Sequence, residues 1–347
     1  MAANLVLVLF TLLVAAAVLA IRAYFRAPPA LYARRSVPDL IVGNGLILLG
    51  LSTVALLGGE IYYRFLHDTT DAFGLARVTQ DWMLRHERMN RFGFRDDLEY
   101  APDRAPGKRR VAFVGDSFTA GHGVEDVNLR FANRIRAAHP EWEVHVLANN
   151  GLDTGAELDL LRRLAGSRYE FDLVVLVYCL NDVADLLPKW AEVQGRLYSR
   201  ERPAALVDHS YLLNTFNARR IAASDTGGYY DFVLDGYSGA TWEEQQRRLA
   251  AMAGLVRDLG GRFALVTFPF LSGLEGEYGP KEAHARIAEF CRAHDVPSLD
   301  LLATFAGRRS QDLVVNERDP HPNPAAHALA ADAIGPFVAG LFAASAK

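Results

Sequence analysis

The pattern of hydrophobic residues divides the chain near residue 65. Before that point, residues 5–21 and 40–59 form two runs without a charged side chain, each close to the length that a helix needs to cross a bilayer. No Lys or Arg precedes the first run and the second follows at once, so a cleaved signal peptide is not favoured. The second run is too long and too apolar for a core helix. We therefore predict two transmembrane helices within residues 1–65.

The charges around these runs predict their orientation. Four basic residues lie in the loop between them: Arg22, Arg26, Arg34 and Arg35. Basic residues concentrate in cytoplasmic loops, so this loop is predicted to be cytoplasmic, although some helix hairpins are inverted. Three aromatic residues follow the second run at the position of an interfacial belt: Tyr62, Tyr63 and Phe65. The remainder of the chain is then predicted to be periplasmic or extracellular.

After a polar connector, residues 66–108, short apolar runs alternate with amphipathic ones. Strands are predicted within 110–115, 143–151, 171–182, 262–270 and 297–302. Helices are predicted within 128–140, 156–166, 242–261, 280–296 and 324–342. Strands that are apolar on both faces and alternate with helices predict a mostly parallel sheet covered by helices. Residues 109–347 are thus predicted to form one α/β domain.

An insertion at about 183–241 interrupts this alternation. We expect it to determine specificity, because aromatic rings can stack on sugars. An alternative is that these rings pack a small core of the insertion itself. The aromatic residues in question are Trp190, Tyr198, Tyr211, Tyr229, Tyr230 and Trp242.

Composition excludes some classes of protein. The net charge of −4 gives no basic surface for nucleic acid. Two cysteines, Cys179 and Cys291, do not form a disulfide framework, and we expect two buried free thiols. No spacing of Cys and His predicts a structural zinc site.

Three predicted strands end in polar turns, which must meet at one edge of a parallel sheet. These turns are Gly115-Asp116-Ser117, Asn150-Gly151 and Asn181-Asp182. A serine nucleophile needs a base, a group that orients the base, and donors aimed at the developing oxyanion. His321, with Asp319 two residues earlier, could supply the base. The pattern favours nucleophilic catalysis by Ser117.

Each feature taken alone also fits an ordinary turn or helix cap. Asp116 is expected to stabilise its turn rather than to react. We expect His122 to be a solvated turn residue more often than part of a pocket, and His327 on the last helix to be half-exposed. It is the occurrence of all four blocks, each at an element boundary, that favours a site.

The four blocks "GDSFTAG", "NNG", "LND" and "DPHPN" resemble those of the SGNH (GDSL-type) hydrolases, and "NRFGFRDDLEY" resembles the segment that precedes them in membrane-tethered members. The resemblance covers about residues 110–342 and implies a three-layer α/β/α flavodoxin-like fold. It implies Ser117 as nucleophile and first oxyanion donor, and no cofactor or metal. Gly151 and Asn181 would be the other oxyanion donors. His321 would be the general base and Asp319 its orienting carboxylate.

Two departures from the family pattern leave questions open. Cys179 stands where the third block usually has glycine, which could alter the backbone before Asn181. The acid often lies three residues before the histidine, whereas Asp319 lies two before it. Either the Asp319 carboxylate or a backbone carbonyl could therefore orient His321.

The function expected from this pattern is hydrolysis of carboxylic esters outside the cytoplasm, on an acylated glycan, a lipid or a small ester. One alternative is an O-acyltransferase that modifies an exported polysaccharide or cell-wall glycan, with a membrane acyltransferase as partner. A second alternative is a membrane-anchored scaffold without catalysis.

Overall fold

The structure, a computed structural model, describes residues 2–26, 37–198, 204–225 and 228–344. Within them the chain forms two units. The helical unit comprises residues up to 69, 74–81 and 197–225, and the sheet unit comprises 70–73, 82–196 and the residues from 226 onward. The domain boundaries predicted at residues 65 and 108 stay predictions.

The first eight helices are α1 (Ala2–Phe25), α2 (Val37–Ile61), α3 (Arg77–His86), α4 (Ser117–Ala120), α5 (Phe131–Ala138), α6 (Thr154–Gly166), α7 (Pro188–Leu197) and α8 (Ala205–His209). The others are α9 (Tyr211–Asp225), α10 (Tyr229–Leu234), α11 (Gly239–Asp258), α12 (Lys281–Ala293), α13 (Leu302–Phe305) and α14 (Pro324–Ala344). The strands are β1 (Arg109–Gly115), β2 (Trp142–Ala148), β3 (Leu173–Cys179), β4 (Arg262–Phe268), β5 (Ser298–Asp300), β6 (Val314–Asn316) and β7 (Asp319–Pro322).

Helices α1 and α2 of the helical unit pack against each other and leave apolar side chains exposed. Exposed examples are Leu5, Val8, Leu12, Leu48 and Leu51. Both helices are long and apolar enough to cross a membrane, as predicted. Arg34 and Arg35 of the predicted cytoplasmic loop lie outside the described residues.

Part of the predicted insertion belongs to the helical unit. The carboxylate of Glu60, near the end of α2, accepts hydrogen bonds from Ser210 Oγ at 2.7 Å and from the backbone N–H groups of Tyr211 and Leu212 at 3.1 Å. The first N–H groups of a helix have no partner within that helix, so Glu60 caps the N-terminus of α9. A residue of the predicted anchor thus fixes a helix about 150 positions further along the chain.

The sheet unit is built on five parallel strands in the order β2-β1-β3-β4-β5. In the central strand β1, Val111 pairs with Val144 on one side and with Leu173 on the other. The side chains of β1 beyond Arg109 and all of those of β3 are buried, which explains their uninterrupted apolar sequence. This order is that of flavodoxin-like folds and confirms the predicted fold class.

Helices cover both faces of this sheet. Helices α5 and α14 pack together, and α6 packs with α11, as right-handed crossovers require for this strand order. Helix α14 is itself long and apolar enough to cross a membrane. However, one of its faces, which includes Ala330, Ile334 and Val338, is fully buried in the unit. It is therefore a core helix of the sheet unit.

A small antiparallel pair, β6 and β7, lies outside the main sheet and was not predicted. Strand β7 contains the "DPHP" segment, and Val314 pairs with Pro322. This pairing holds Asp319 and His321 at defined positions, although two prolines interrupt the hydrogen-bonding backbone.

Candidate active site

The turn after β1 places Ser117 at the start of a short helix. Asp116 caps α4 by accepting a hydrogen bond from Phe118 N at 2.8 Å. A Cβ on Gly115 would lie 2.9 Å from the Val177 carbonyl oxygen of the neighbouring strand, so only glycine fits there without displacement. Asp116 is buried and bonded within its turn, as expected of a residue that stabilises the turn.

Ser117, His321 and Asp319 lie in one hydrogen-bonded row. The Ser117 Oγ lies 2.8 Å from His321 Nε2, and His321 Nδ1 lies 2.5 Å from Asp319 Oδ1. The group facing Nδ1 is thus the carboxylate and not a backbone carbonyl. Ser117 and His321 are each 8% exposed, so the row is nearly closed to solvent while its serine stays accessible. The arrangement is suited to transfer of the hydroxyl proton to the imidazole.

The carboxylate of Asp319 is itself held from several sides. Its Oδ1 also accepts from the backbone N–H of His321 at 3.2 Å, and Thr70 Oγ1 donates to its Oδ2. Burial raises the pKa of this carboxyl, but His321, His122 and Thr70 outweigh burial and lower it to about 2. Asp319 is therefore a carboxylate at every pH at which the protein is expected to work.

The structure places the other two candidate oxyanion donors on loops at the same edge of the sheet as Ser117. Gly151 is exposed, has a φ of +78°, and would have open space around a Cβ, so this glycine serves the left-handed backbone. Asn181 is half-buried, and its Nδ2 donates to Asp116 Oδ2 at 3.2 Å. Since an amide nitrogen carries two hydrogens, a second N–H remains for a substrate. Cys179 is a buried free thiol, as predicted, like Cys291.

A buried arginine supports the loop after Ser117. Arg95 is 2% exposed and donates to the carbonyl oxygens of Gly121 at 2.5 Å and Glu125 at 3.2 Å, and also to that of Val124. Charged donors form strong hydrogen bonds to carbonyl groups, so this residue fixes the backbone that follows the candidate nucleophile. It lies in the "NRFGFRDDLEY" segment, which explains why that segment accompanies the four blocks here.

Two histidines are placed differently from the sequence predictions. His122 is 4% exposed and packs against the His321 ring, with centroids 4.6 Å apart, so the prediction of a solvated residue was wrong. His327 was predicted to be half-exposed but is fully buried, where its Nδ1 accepts from Phe131 N at 3.3 Å. Burial and neighbouring arginines lower its pKa to about 3, so it is a neutral core residue.

Buried acids lie beside the candidate site. Asp116, Glu157 and Asp182 have almost no exposed surface, and both carboxyl oxygens of Glu157 lack a partner among the described residues. Burial raises the pKa of Glu157 and of Asp182 well above their ordinary values, and repulsion between these carboxylates adds to the shift. We expect Glu157 to be protonated in the folded protein near neutral pH.

Within the described residues, one set of three side chains, His122, Asp319 and His321, has potential ligand atoms within 4.8 Å of one another. In this arrangement both nitrogens of His321 already have partners, Ser117 and Asp319. An ion bound to Nδ1 would break its bond to Asp319. We therefore assign these groups to hydrogen bonding and assign no metal to them.

Three solved structures illustrate the likeness of the fold. TesA has 17% sequence identity and a TM-score of 0.42, over 66% of this chain and 98% of that one. The psychrotrophic esterase EstA from Pseudoalteromonas sp. has 15% identity and a TM-score of 0.42, over 68% and 99%. The lipase/acylhydrolase from Enterococcus faecalis has 19% identity and a TM-score of 0.40, over 67% and 96%. None of the curated proteins compared matches the chain.

A parallel α/β domain with a serine, a histidine and a carboxylate at the carboxyl edge of its sheet defines the class of ester-acting α/β enzymes. The model of the GDSL-like Lipase/Acylhydrolase family matches residues 113–329, more than half of the chain. The chain therefore belongs to this family and is an enzyme that acts on esters. This confirms the predicted family and class of enzyme.

Sequence reasoning missed several residues around the candidate site. Thr70 and Asp71 come from the predicted connector, and Thr70 contacts Asp319 from almost 250 positions away. No local pattern marks such a threonine. Arg95 had a signal, since it lies in the segment noted before the four blocks, but its contacts were not predicted.

Proposed function

We propose that this protein cleaves carboxylic esters through an acyl-enzyme on Ser117. The observation that carries the proposal is the row of Ser117 Oγ, His321 and Asp319, with distances of 2.8 Å and 2.5 Å. Asp319 accepts from Nδ1, which leaves Nε2 without a proton and able to accept the one on Ser117 Oγ. His321 would thus be the general base and Asp319 the group that orients it.

In the proposed first step, Ser117 Oγ attacks the ester carbonyl as its proton moves to His321 Nε2. The backbone N–H groups of Ser117 and Gly151 and the Asn181 amide would stabilise the oxyanion, and each such donor contributes roughly 100- to 1,000-fold in rate. His321 then returns the proton to the leaving alcohol. In the second step His321 activates water, which releases the acid and restores the serine.

We propose that this chemistry takes place outside the cytoplasm. The support is the basic loop between two apolar helices, with Arg22 and Arg26 among its residues, and the absence of a basic residue before the first helix. Residues 1–65 would be the anchor and residues 109–347 the catalytic domain. Acylated glycans, lipids and small esters are the substrates that such a position makes accessible.

A second candidate function is transfer of the acyl group to a sugar hydroxyl. Three half-buried rings of the sheet unit, Phe73, Trp190 and Tyr229, pack together with centroid distances of 5.0 to 6.4 Å. Phe73 lies two residues after Asp71, whose carbonyl contacts His122 next to the candidate base. Aromatic faces of this kind suit a sugar ring. Transfer would require an acyl donor, which a membrane acyltransferase partner could supply.

The test uses the full chain in detergent, a fluorophosphonate probe and p-nitrophenyl acetate. We expect the probe to label the wild type, and Ser117→Ala to abolish labelling and lower hydrolysis by roughly 10⁴-fold or more. The control is Ser167→Ala, a serine at the end of α6 whose Oγ donates to the Leu164 carbonyl, which should behave as wild type. Equal labelling of Ser117→Ala and wild type would overturn the proposal.

Hydrolysis and transfer are separated by mass analysis of an oligosaccharide incubated with the enzyme and an acyl donor. Acylated sugar without free acid would assign the protein as a transferase, and free acid alone would assign it as a hydrolase. Trp190→Ala should then reduce transfer to the sugar and leave hydrolysis of p-nitrophenyl acetate unchanged.

A further inference from the structure

His122 lies behind the candidate catalytic row and contacts it from the side opposite Ser117. Its Nε2 lies 3.1 Å from the Asp71 carbonyl oxygen and 3.5 Å from Asp319 Oδ2. Its ring packs edge-on against that of His321, with centroids 4.6 Å apart. The second oxygen of the orienting carboxylate thus faces a second imidazole.

The other nitrogen of His122 faces the loop that carries Gly151. Asn150 Nδ2 lies 3.2 Å from His122 Nδ1 and 3.2 Å from Glu87 Oε1. Asn150 and Gly151 are exposed in their own loop, so these two bonds are what ties the loop to the buried part of the site. One imidazole therefore contacts both the group that orients the candidate base and the segment that carries a candidate oxyanion donor.

We propose that His122 is a positioning residue for the reaction on Ser117, holding the Asp319 carboxylate and the Asn150-Gly151 loop in their reactive places. The proposal rests on the proposed function. It extends the row of side chains to Glu87, His122, Asp319, His321 and Ser117.

The charges around His122 favour its cationic form. Burial lowers the pKa of His122, but the carboxylates of Glu87 and Asp319 and the Asp71 carbonyl raise it above the ordinary value in sum. Glu87, whose side chain is 4% exposed, has a lowered pKa despite burial, because His122, Arg95 and Asn150 stabilise its charge.

The ring of His122 also lies near two groups that add no negative charge. These are the indole of Trp82, 6.4 Å away, and the imidazole of His321. A cation at His122 opposes protonation of the neighbouring His321 and keeps that imidazole able to accept a proton at lower pH. Loss of the cation should therefore shift the pH dependence of Ser117 reactivity, which a purely structural residue would not do.

The test measures the rate of fluorophosphonate labelling of the full chain in detergent between pH 5 and pH 9. Glutamine keeps a donor and an acceptor but carries no charge, so His122→Gln should lower the maximal rate by about 10-fold. It should also move the acid limb to higher pH by about one unit. Glu87→Gln should move the limb in the same direction by less. The control is His86→Gln, whose ring faces the exposed Glu125 at 3.9 Å and should leave the profile unchanged.

A lower rate with an unmoved acid limb in both variants would mean that His122 only stabilises the fold, and it overturns the proposal. If His122→Gln does not fold, Glu87→Gln decides by the same criterion. Labelling of the wild type that depends on Ser117, with unmoved limbs, refutes this proposal alone. Labelling that does not depend on Ser117 refutes the proposed function and this proposal with it.

Discussion

Replacing Asp319 with asparagine separates the two contributions of this carboxylate, to stability and to reactivity. The pKa of Asp319 is lowered from 3.8 to about 2, and a difference of roughly 1.8 units corresponds to about 2.5 kcal/mol of stabilisation by its ionised form. Because the folded pKa is the lower one, this stabilisation is present above about pH 4 and is lost as the pH falls through about 2. Asp319→Asn should therefore lose up to about 2.5 kcal/mol near neutral pH, about 5–10 °C in melting temperature.

The effect on reactivity should be much larger than this loss of stability. An amide N–H at position 319 would donate to His321 Nδ1, which moves the remaining proton to Nε2, where it faces Ser117 Oγ. An imidazole protonated at Nε2 cannot accept the serine proton, and a change of this kind costs on the order of 10⁴-fold in rate.

The assay is fluorophosphonate labelling and p-nitrophenyl acetate hydrolysis at a temperature where both proteins are folded. The matched control is Asp300→Asn, because Asp300 also faces a histidine, with both carboxylate oxygens 2.9 Å from His284 Nδ1, outside the candidate site. It should keep wild-type activity. Activity of Asp319→Asn within tenfold of wild type, or an equal loss in Asp300→Asn, would refute this account of the row.

Three further predictions concern the buried acid, the turn and the orientation. The raised pKa of Glu157 means that the wild type loses stability as the pH rises above about 4.5, so Glu157→Gln should melt at increasingly higher temperature than wild type between pH 6 and pH 9, and parallel melting curves would contradict this. Gly115→Ala would push a methyl group to 2.9 Å from the Val177 carbonyl oxygen, and we expect a loss of about 1–3 kcal/mol and slower labelling, whereas a wild-type melting temperature would contradict the packing argument. Asp159→Cys, at a side chain that is 60% exposed in a chain whose own cysteines are buried, should react with a membrane-impermeant maleimide in intact cells, and labelling only after lysis would place the domain in the cytoplasm.

The parallel sheet could be predicted from sequence because its strands are buried on both faces. Such a strand needs an uninterrupted apolar run, and β1 and β3 both have one that ends in a polar turn. The positions of Ser117, Gly151 and Asn181 follow from the same rule, since parallel strands end at one edge of the sheet. These features depend on local sequence and on the geometry common to all parallel sheets.

Contacts between distant residues could not be predicted in this way. Thr70 and Asp319 are 249 positions apart, and nothing in the sequence around either residue indicates the other. The burial of His122 also depends on residues from separate segments, Glu87, Asn150 and Asp71, that meet only in the folded chain. Strands β6 and β7 have three and four residues, too few for a periodic pattern.

The cap that Glu60 forms on α9 has a practical consequence for the design of a soluble fragment. Removing the two apolar helices alone would delete the carboxylate that accepts from Ser210, Tyr211 and Leu212, and would leave three donors and an apolar helix end facing water. A truncated protein cut only at residue 65 should thus be prone to aggregate, whereas one that also replaces residues 204–225 with a short flexible linker removes the orphaned segment together with its support.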